Sequence, residues 1–188
     1  MKRVFDFAAC ALFLLIFWPI LLLIVVAIRL QSPGSAIFAQ VRVGKDGRRF
    51  TCYKLRTMHT GTANVPTHQV EASSVTVLGE YLRRFKIDEI PQLCNVVAGD
   101  MSIVGPRPCL PSQTDLIEAR RQLGVLDVRP GITGLAQVNG CRGETQTLDD
   151  MRRRVDYDLE YLRHWCWLLD IKIMVRTFVL MFRDKHAY

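Results

Sequence analysis

"MKRVFDFAACALFLLIFWPILLLIVVAIRL", residues 1–30, decides the architecture. From Phe7 to Ile28 it holds 22 residues without a charge. A straight helix of that length measures about 33 Å, close to the thickness of a bilayer's hydrocarbon core. The run is too long for a cleaved signal, and no small-residue cleavage site follows it. Two features set it apart from a plain spanning helix, although spanning helices do tolerate proline. Pro19 lies near the middle, where it removes a hydrogen bond and crowds the preceding turn. Basic residues also flank both ends: Lys2 and Arg3 before, and Arg29, Arg42, Lys45, Arg48 and Arg49 after. Such residues stay on the cytoplasmic side. A helix that breaks at Pro19 and returns to its own face satisfies both features. Residues 1–30 are therefore expected to be a proline-broken re-entrant membrane helix, and residues 31–188 a cytosolic, membrane-associated domain.

The 188 residues suffice for one domain with a real core, and at 49% apolar the chain is not disordered. Its net charge of +7, from 25 Lys and Arg against 18 Asp and Glu, suits an anionic partner such as phosphate, nucleic acid or an acidic membrane surface. Six scattered cysteines, without a C-x-x-C pair, suggest neither zinc nor a redox motif and read as unpaired thiols in a reducing compartment. The four histidines have no ligand spacing.

Past the turn Ser32-Pro33-Gly34, alternation on both sides of Gly44–Gly47 reads as a β-hairpin. Residues 58–76 have no apolar period and read as a long loop. Helices are expected over 77–85, over 88–99 with Asp88 as N-cap and Pro91 in the first turn, over 112–124, and over 148–165. Residues 99–111 read as a rigid loop and 128–140 as a tight-turn segment. The stretch 167–185 has a narrow polar face opposite a broad apolar one, which fits either an interfacial helix or a core helix. The fold class is α+β, mostly helical, with a small β-hairpin and amphipathic interfacial helices.

"YLRRFKIDEIPQL", residues 81–93, carries the candidate chemistry. Asp88 and Glu89 stand side by side near Arg83, and Arg107 is braced by two prolines in Gly105-Pro106-Arg107-Pro108. Lys54 and Arg56 alternate on a strand and project from one face. One reading is ordinary capping of a helix with surface arginines. The other is phosphoryl transfer: a carboxylate nucleophile, a second carboxylate for protons or metal, guanidinium groups for phosphate oxygens, and Mg²⁺ held by Asp88 and Glu89.

Six motifs, "SPG", "FAQVRVG", "YKLRTM", "IDEIPQL", "NVVAGDMSIVGPRP" and "RPGITGLAQVNG", occur in the order found in bacterial sugar transferases. From Lys2 to about Ile173 the chain resembles that family's small monotopic phosphoglycosyl transferases. The resemblance implies a Mg²⁺-dependent enzyme on the cytoplasmic face of the bacterial inner membrane. It implies transfer of a sugar-1-phosphate from a UDP-sugar to polyprenol (undecaprenyl) phosphate through a covalent phosphosugar on Asp88, the first membrane step of surface glycan synthesis. Glu89 matches the second carboxylate, Arg83 and Arg107 match phosphate-holding arginines, and Pro19 matches the break in the membrane helix. The partners implied are the two substrates and membrane lipid, with no nucleic acid; the C-terminal helix leaves room for an oligomer. The chain departs from the family at Trp18, Cys94 and Leu135, where Ser, an aromatic residue and Trp are common. The chain also reads as the minimal catalytic form, without extra membrane helices in front. The competing readings are a non-enzymatic basic protein binding anionic lipid or nucleic acid at the membrane, and a membrane phosphohydrolase.

Overall fold

The computed structural model describes residues 1–60, 74–141 and 147–183. The long loop expected over 58–76 falls mostly outside them. The opening apolar run is one helix, α1, Lys2–Gln31, with Pro19 inside it. It ends where Ser32 turns extended and Gly34 takes a φ of 104°. Among the described residues it is the one helix long and apolar enough to cross a membrane. Its middle presents Leu12, Leu15, Ile16, Trp18, Leu22 and Leu23 to the outside, whereas Asp6, Cys10 and Ile28 near its two ends are buried.

The hairpin forms as its alternation requires. Strands β1 (Ile37–Val43) and β2 (Arg49–Leu55) pair antiparallel from Ile37↔Leu55 to Val43↔Arg49. A 3₁₀ turn, Lys45–Gly47, joins them, with Asp46 and Gly47 both at positive φ. The period of two puts Phe38, Gln40 and Arg42 on the same face as Lys54, Cys52 and Phe50 opposite them.

Helices supply most of the rest. They are α2 (Val77–Arg84), α3 (Gln92–Ala98), α4 (Thr114–Gln122), α5 (Leu135–Val138), α6 (Leu148–Arg163) and α7 (Trp167–Arg183). The class is α+β and mostly helical. Two short strands interrupt the stretches read as a rigid loop and a tight-turn segment. These are β3 (Ser102–Val104) and β4 (Gly131–Thr133), paired in parallel. Three residues are too few for an alternation to show. Close backbone approach permits the pairing: a Cβ on Gly131 would stand 2.1 Å from the Gly105 amide nitrogen.

The apolar interior forms several clusters, two of which hold α1. Cys10 packs with Cys52, Val96 and Met101, and Ile28 packs with Ala36, Leu55 and Leu82. Polar contacts fix the same two ends. The Arg3 guanidinium donates to the carbonyls of Val96 and Val97, and Ser102 Oγ donates to Asp6. At the far end Arg56 donates to the carbonyls of Ile28, Ser32 and Pro33. Both ends of the apolar helix therefore dock on one body. Elsewhere α4 and α6 are locked by an ion pair 2% exposed on each side, with Arg120 Nη2 2.5 Å from Asp158 Oδ2.

Removing one partner of a buried pair leaves an uncompensated charge. Asp158→Ala should lower unfolding stability by roughly 3–5 kcal/mol, whereas breaking the exposed Arg121–Glu118 pair by Arg121→Ala should change it by less than about 1 kcal/mol. Denaturant unfolding in a membrane mimetic measures both, and equal losses would contradict the burial argument.

Candidate active site

Asp88 and Glu89 share one 3₁₀ turn, Ile87–Glu89, between α2 and α3. This corrects the sequence reading of Asp88 as a helix N-cap. Helix α3 begins only at Gln92, Pro91 precedes its first turn, and no side chain caps it. The residue before the 3₁₀ turn, Lys86, has a φ of 52°, which turns the chain sharply out of α2. A non-glycine residue there costs about 1 kcal/mol, strain of the kind that gathers at functional sites.

Neighbouring elements hold the turn in place. Asn95 of α3 acts as a surrogate strand on the open edge of β2, accepting from the Tyr53 amide at 3.2 Å and donating to the Thr51 carbonyl at 2.7 Å. Helix α2 starts at Thr76, whose hydroxyl accepts from the Gly79 amide. A Cβ at Gly79 would meet the Thr57 carbonyl oxygen at 2.1 Å, so only glycine lets α2 approach so closely. That approach sets Arg83, whose Nε donates to Thr57 Oγ1 at 2.8 Å.

The proline-braced loop is tied at both ends. The Gly105 amide donates to the Thr133 carbonyl, and the Val43 amide donates to the Cys109 carbonyl. The buried Arg120 completes the fixation, donating through Nη1 to the Arg107 carbonyl at 2.7 Å and contacting Cys109 Sγ at 2.9 Å. Asp158 thus orients Arg120, and Arg120 orients the backbone that presents Arg107.

The two carboxyl groups are each 9% exposed, yet their surroundings differ. Glu89 Oε1 accepts from Lys54 Nζ at 2.8 Å and lies 3.4 Å from Arg107 Nη2. Asp88 has no hydrogen bond or ion pair among the described residues. Burial and then the Glu89 charge raise the Asp88 pKa to about 6, against the opposing pull of Lys54, Arg83 and Arg107. Burial alone would raise Glu89 as well, but Lys54, Arg107 and Lys86 together hold it well below the ordinary carboxylate range. The result is a carboxylate of raised basicity, without a hydrogen bond or ion pair among the described residues, beside one whose charged form is favoured, with cations around both. That arrangement suits attack on a phosphorus whose oxygens the cations would receive.

Of the expected residues, Asp88, Glu89, Lys54 and Arg107 meet at this turn, and Arg83 acts on Asp88 through its charge. Arg56 is not brought to the carboxylates; its guanidinium clamps the end of α1. Among the described residues no three His, Cys, Asp or Glu side chains cluster for a metal. Two carboxylates still match the donor set of Mg²⁺, which commonly completes its shell with substrate phosphates and water. Two residues escaped the sequence reading. Arg120 could not be found, because its partner Asp158 is 38 residues away. Arg42 left one signal, a charged residue alternating with Gln40 on the strand face that also carries Lys54.

A family model described as bacterial sugar transferase matches residues 1–184. Over 191 residues the chain is 44% identical to a UDP-glucose:undecaprenyl-phosphate glucose-1-phosphate transferase of Caulobacter vibrioides, covering 100% of the chain and 72% of that protein. It is 44% identical over 195 residues to the Escherichia coli K12 protein of the same name, and 42% identical over 191 residues to that of Klebsiella pneumoniae. In both cases the match covers 100% of the chain and 41% of the relative, so the chain spans less than half their length.

The two carboxylates should respond oppositely to neutralisation. A pKa raised from 3.8 to about 6 means that ionised Asp88 weakens the fold above about pH 6, and that this cost vanishes below about pH 4. Asp88→Asn should therefore stabilise the ligand-free protein at pH 7.5 by up to about 3 kcal/mol, with the gain gone at pH 4. Glu89, held low, stabilises the fold above its unfolded pKa of 4.5 and loses that contribution as pH falls toward its folded value. Glu89→Gln should then destabilise at pH 7.5. Melting curves across pH for both variants decide this; a loss of stability in Asp88→Asn would refute the assigned environments.

Proposed function

The chain belongs to the bacterial sugar transferase family, and from that membership we propose that it transfers a sugar-1-phosphate from a UDP-sugar to undecaprenyl phosphate. The observation that carries the reading is the divided turn, with Asp88 buried and, among the described residues, without a hydrogen bond or ion pair, and Glu89 engaged by Lys54 and Arg107. Asp88 Oδ attacks the β-phosphorus of the donor. The bond from that phosphorus to the bridging oxygen breaks, its electron pair stays on the α-phosphate, and UMP departs. An oxygen of the lipid phosphate then attacks the same phosphorus and releases Asp88 as carboxylate. Neither step requires a proton to be taken from a phosphate oxygen that is already ionised. Glu89, held charged, keeps Lys54 and Arg107 in place and does not serve as a base at neutral pH. Asp88 and Glu89 are also the residues that would hold Mg²⁺. When bound, Mg²⁺ supplies positive charge for phosphate oxygens.

The membrane readings follow the same logic. A body that binds both ends of α1 stands on one side of the bilayer, so the helix has to enter and return. Cys10 and Ile28 would be about 27 Å apart on a straight helix. Their clusters meet β2 at Cys52 and Leu55, which lie within about 10 Å of each other. We assign the bend to Pro19 and place the body on the cytoplasmic face, where the basic residues belong. Helix α7 buries Asp170 and Ile173 and turns Leu168, Ile171, Val175, Phe178 and Phe182 outward, a stripe suited to lie in the interface beside Trp165 and Trp167.

Incubation with UDP-glucose alone tests the chemistry, since three relatives carry that donor in their names. The expected result is release of UMP, with a hexose-phosphate mass adduct on the peptide containing Asp88 that is absent from Asp88→Asn. Loading should slow by about tenfold for each pH unit below about 6. A panel of other UDP-sugars follows if UDP-glucose is not a donor. Turnover retained in Asp88→Asn sinks the covalent route. Free sugar phosphate released without lipid favours a phosphohydrolase, and no turnover with any donor favours a binding protein. Single reporter cysteines at the two ends of α1 should label from the same side of sealed vesicles; opposite labelling excludes the re-entrant path.

A further inference from the structure

Arg42 is a cation beside the site that, among the described residues, forms no ion pair with a carboxylate. It leaves β1 on the face shared with Gln40, Cys52 and Lys54. Its Nη2 donates to Gln40 Oε1 at 2.5 Å, and its Nη1 lies 3.5 Å from the Pro108 carbonyl oxygen. Burial, and then the Arg107 charge, lower its pKa to about 10. Two like charges drawn out of water side by side oppose folding unless something of opposite sign joins them. Glu89 belongs to Lys54 and Arg107, and Asp158 belongs to Arg120. Arg42 and Arg107 thus present two guanidinium groups to one place, and paired guanidinium forks match phosphate oxygens.

The hairpin gives this anion a direction. The Leu55 end of β2 packs with Ile24, Val25 and Ile28 of α1, next to the exposed apolar middle of that helix. The opposite end carries the exposed Lys45, Arg48 and Arg49. Lys54, at the turn with Glu89, belongs to the membrane end. Arg42 pairs with Phe50, four residues or about 13 Å further toward the aqueous end.

We propose that Arg42, with Arg107, binds the phosphate that leaves with the nucleoside, so that the nucleotide half of the donor lies along the hairpin, away from the membrane. This rests on the transfer reaction proposed above. When the β-phosphorus separates from the bridging oxygen, the electron pair remains on the α-phosphate, whose charge rises from one to two. Arg42 receives that added charge. The lipid phosphate comes from the other end, past Lys54 and Arg83, and does not need Arg42.

The test uses Arg42→Gln and Arg42→Lys in the full chain. Arg42→Gln should raise KM for the UDP-sugar and weaken inhibition by UMP by about tenfold or more, while KM for undecaprenyl phosphate stays within about twofold. Arg42→Lys should recover part of the UMP affinity. Because the anion is absent from the free protein, ligand-free Arg42→Gln should melt no lower than wild type. It should also lose most of the rise in melting temperature that inorganic pyrophosphate gives wild type. A lower ligand-free melting temperature with unchanged UMP inhibition would assign Arg42 a purely structural role and overturn the proposal. So would an equal pyrophosphate response in both proteins. If pyrophosphate stabilises wild type but not Arg42→Gln, and yet no UDP-sugar is turned over, the anion site stands and the transfer reading fails.

Discussion

Two carboxylates on consecutive residues, both withdrawn from water, repel each other and lose hydration together. The 87–89 turn accommodates them because the surrounding cations are shared unequally. Lys54 and Arg107 reach Glu89, and Lys86 adds its charge there, so this carboxylate stays ionised despite burial. Asp88 receives only the more distant fields of Lys54, Arg83 and Arg107, which do not offset burial and the neighbouring charge. Adjacent positions thereby acquire opposite proton affinities. Much of the remaining structure places these cations: the close approach of α2 at Gly79 aims Arg83, the register of the hairpin presents Lys54, and Arg120 fixes the loop that carries Arg107.

An arrangement that buries a carboxylate without a hydrogen bond or ion pair among the described residues has to be held by contacts elsewhere. The Arg120–Asp158 pair contributes by joining α4 to α6 directly behind the Arg107 loop. Helix α1 contributes from the other side. Its ends are built into the core through Cys10 and Ile28, and Lys2 ties its start to Asp170 at the beginning of α7. The membrane segment is thus part of the fold as well as an anchor. Its docking fixes how far the Asp88 turn stands from the apolar residues that would enter lipid.

The hairpin and the amphipathic α6 were legible because each repeats its pattern long enough to show a period, and α1 because its uncharged run is as long as a bilayer's core is thick. The parallel pair β3–β4 was not, since three-residue strands have no period and depend on glycine-to-backbone contacts made in three dimensions. "DEIPQL" misled for a local reason: Asp and Pro in that order imitate a helix start, while the positive φ at Lys86 and the 3₁₀ turn that follows leave no trace in composition. Lys54 and Arg56 show the same limit. Alternation gave them one face, but Arg56 lies just past the end of β2, and its guanidinium turns to the carbonyls at the end of α1. Residue types marked Asp88, Glu89, Lys54 and Arg107 as candidates; the sharing of Lys54 and Arg107 by Glu89 rather than Asp88 depends on distances that only the fold sets.

The same electrostatics accounts for how one pocket could serve two anions in succession. Before reaction, Asp88 carries a single negative charge when ionised. In the proposed reaction a phosphosugar esterified to it would also carry one, on its non-bridging phosphate oxygens. Departure of the nucleotide would therefore return the pocket to the charge it began with, and Lys54, Arg83 and Arg107 would meet the lipid phosphate as they met the donor. A nucleophile of different charge type, such as a neutral hydroxyl, would gain a negative charge on phosphorylation and repel the second anion. A carboxylate held just basic enough to be ionised at neutral pH avoids that change. In the proposed reaction, burial that raises the Asp88 pKa makes the carboxylate a stronger base, while the cations around it keep it from rising so far that it would be protonated at neutral pH.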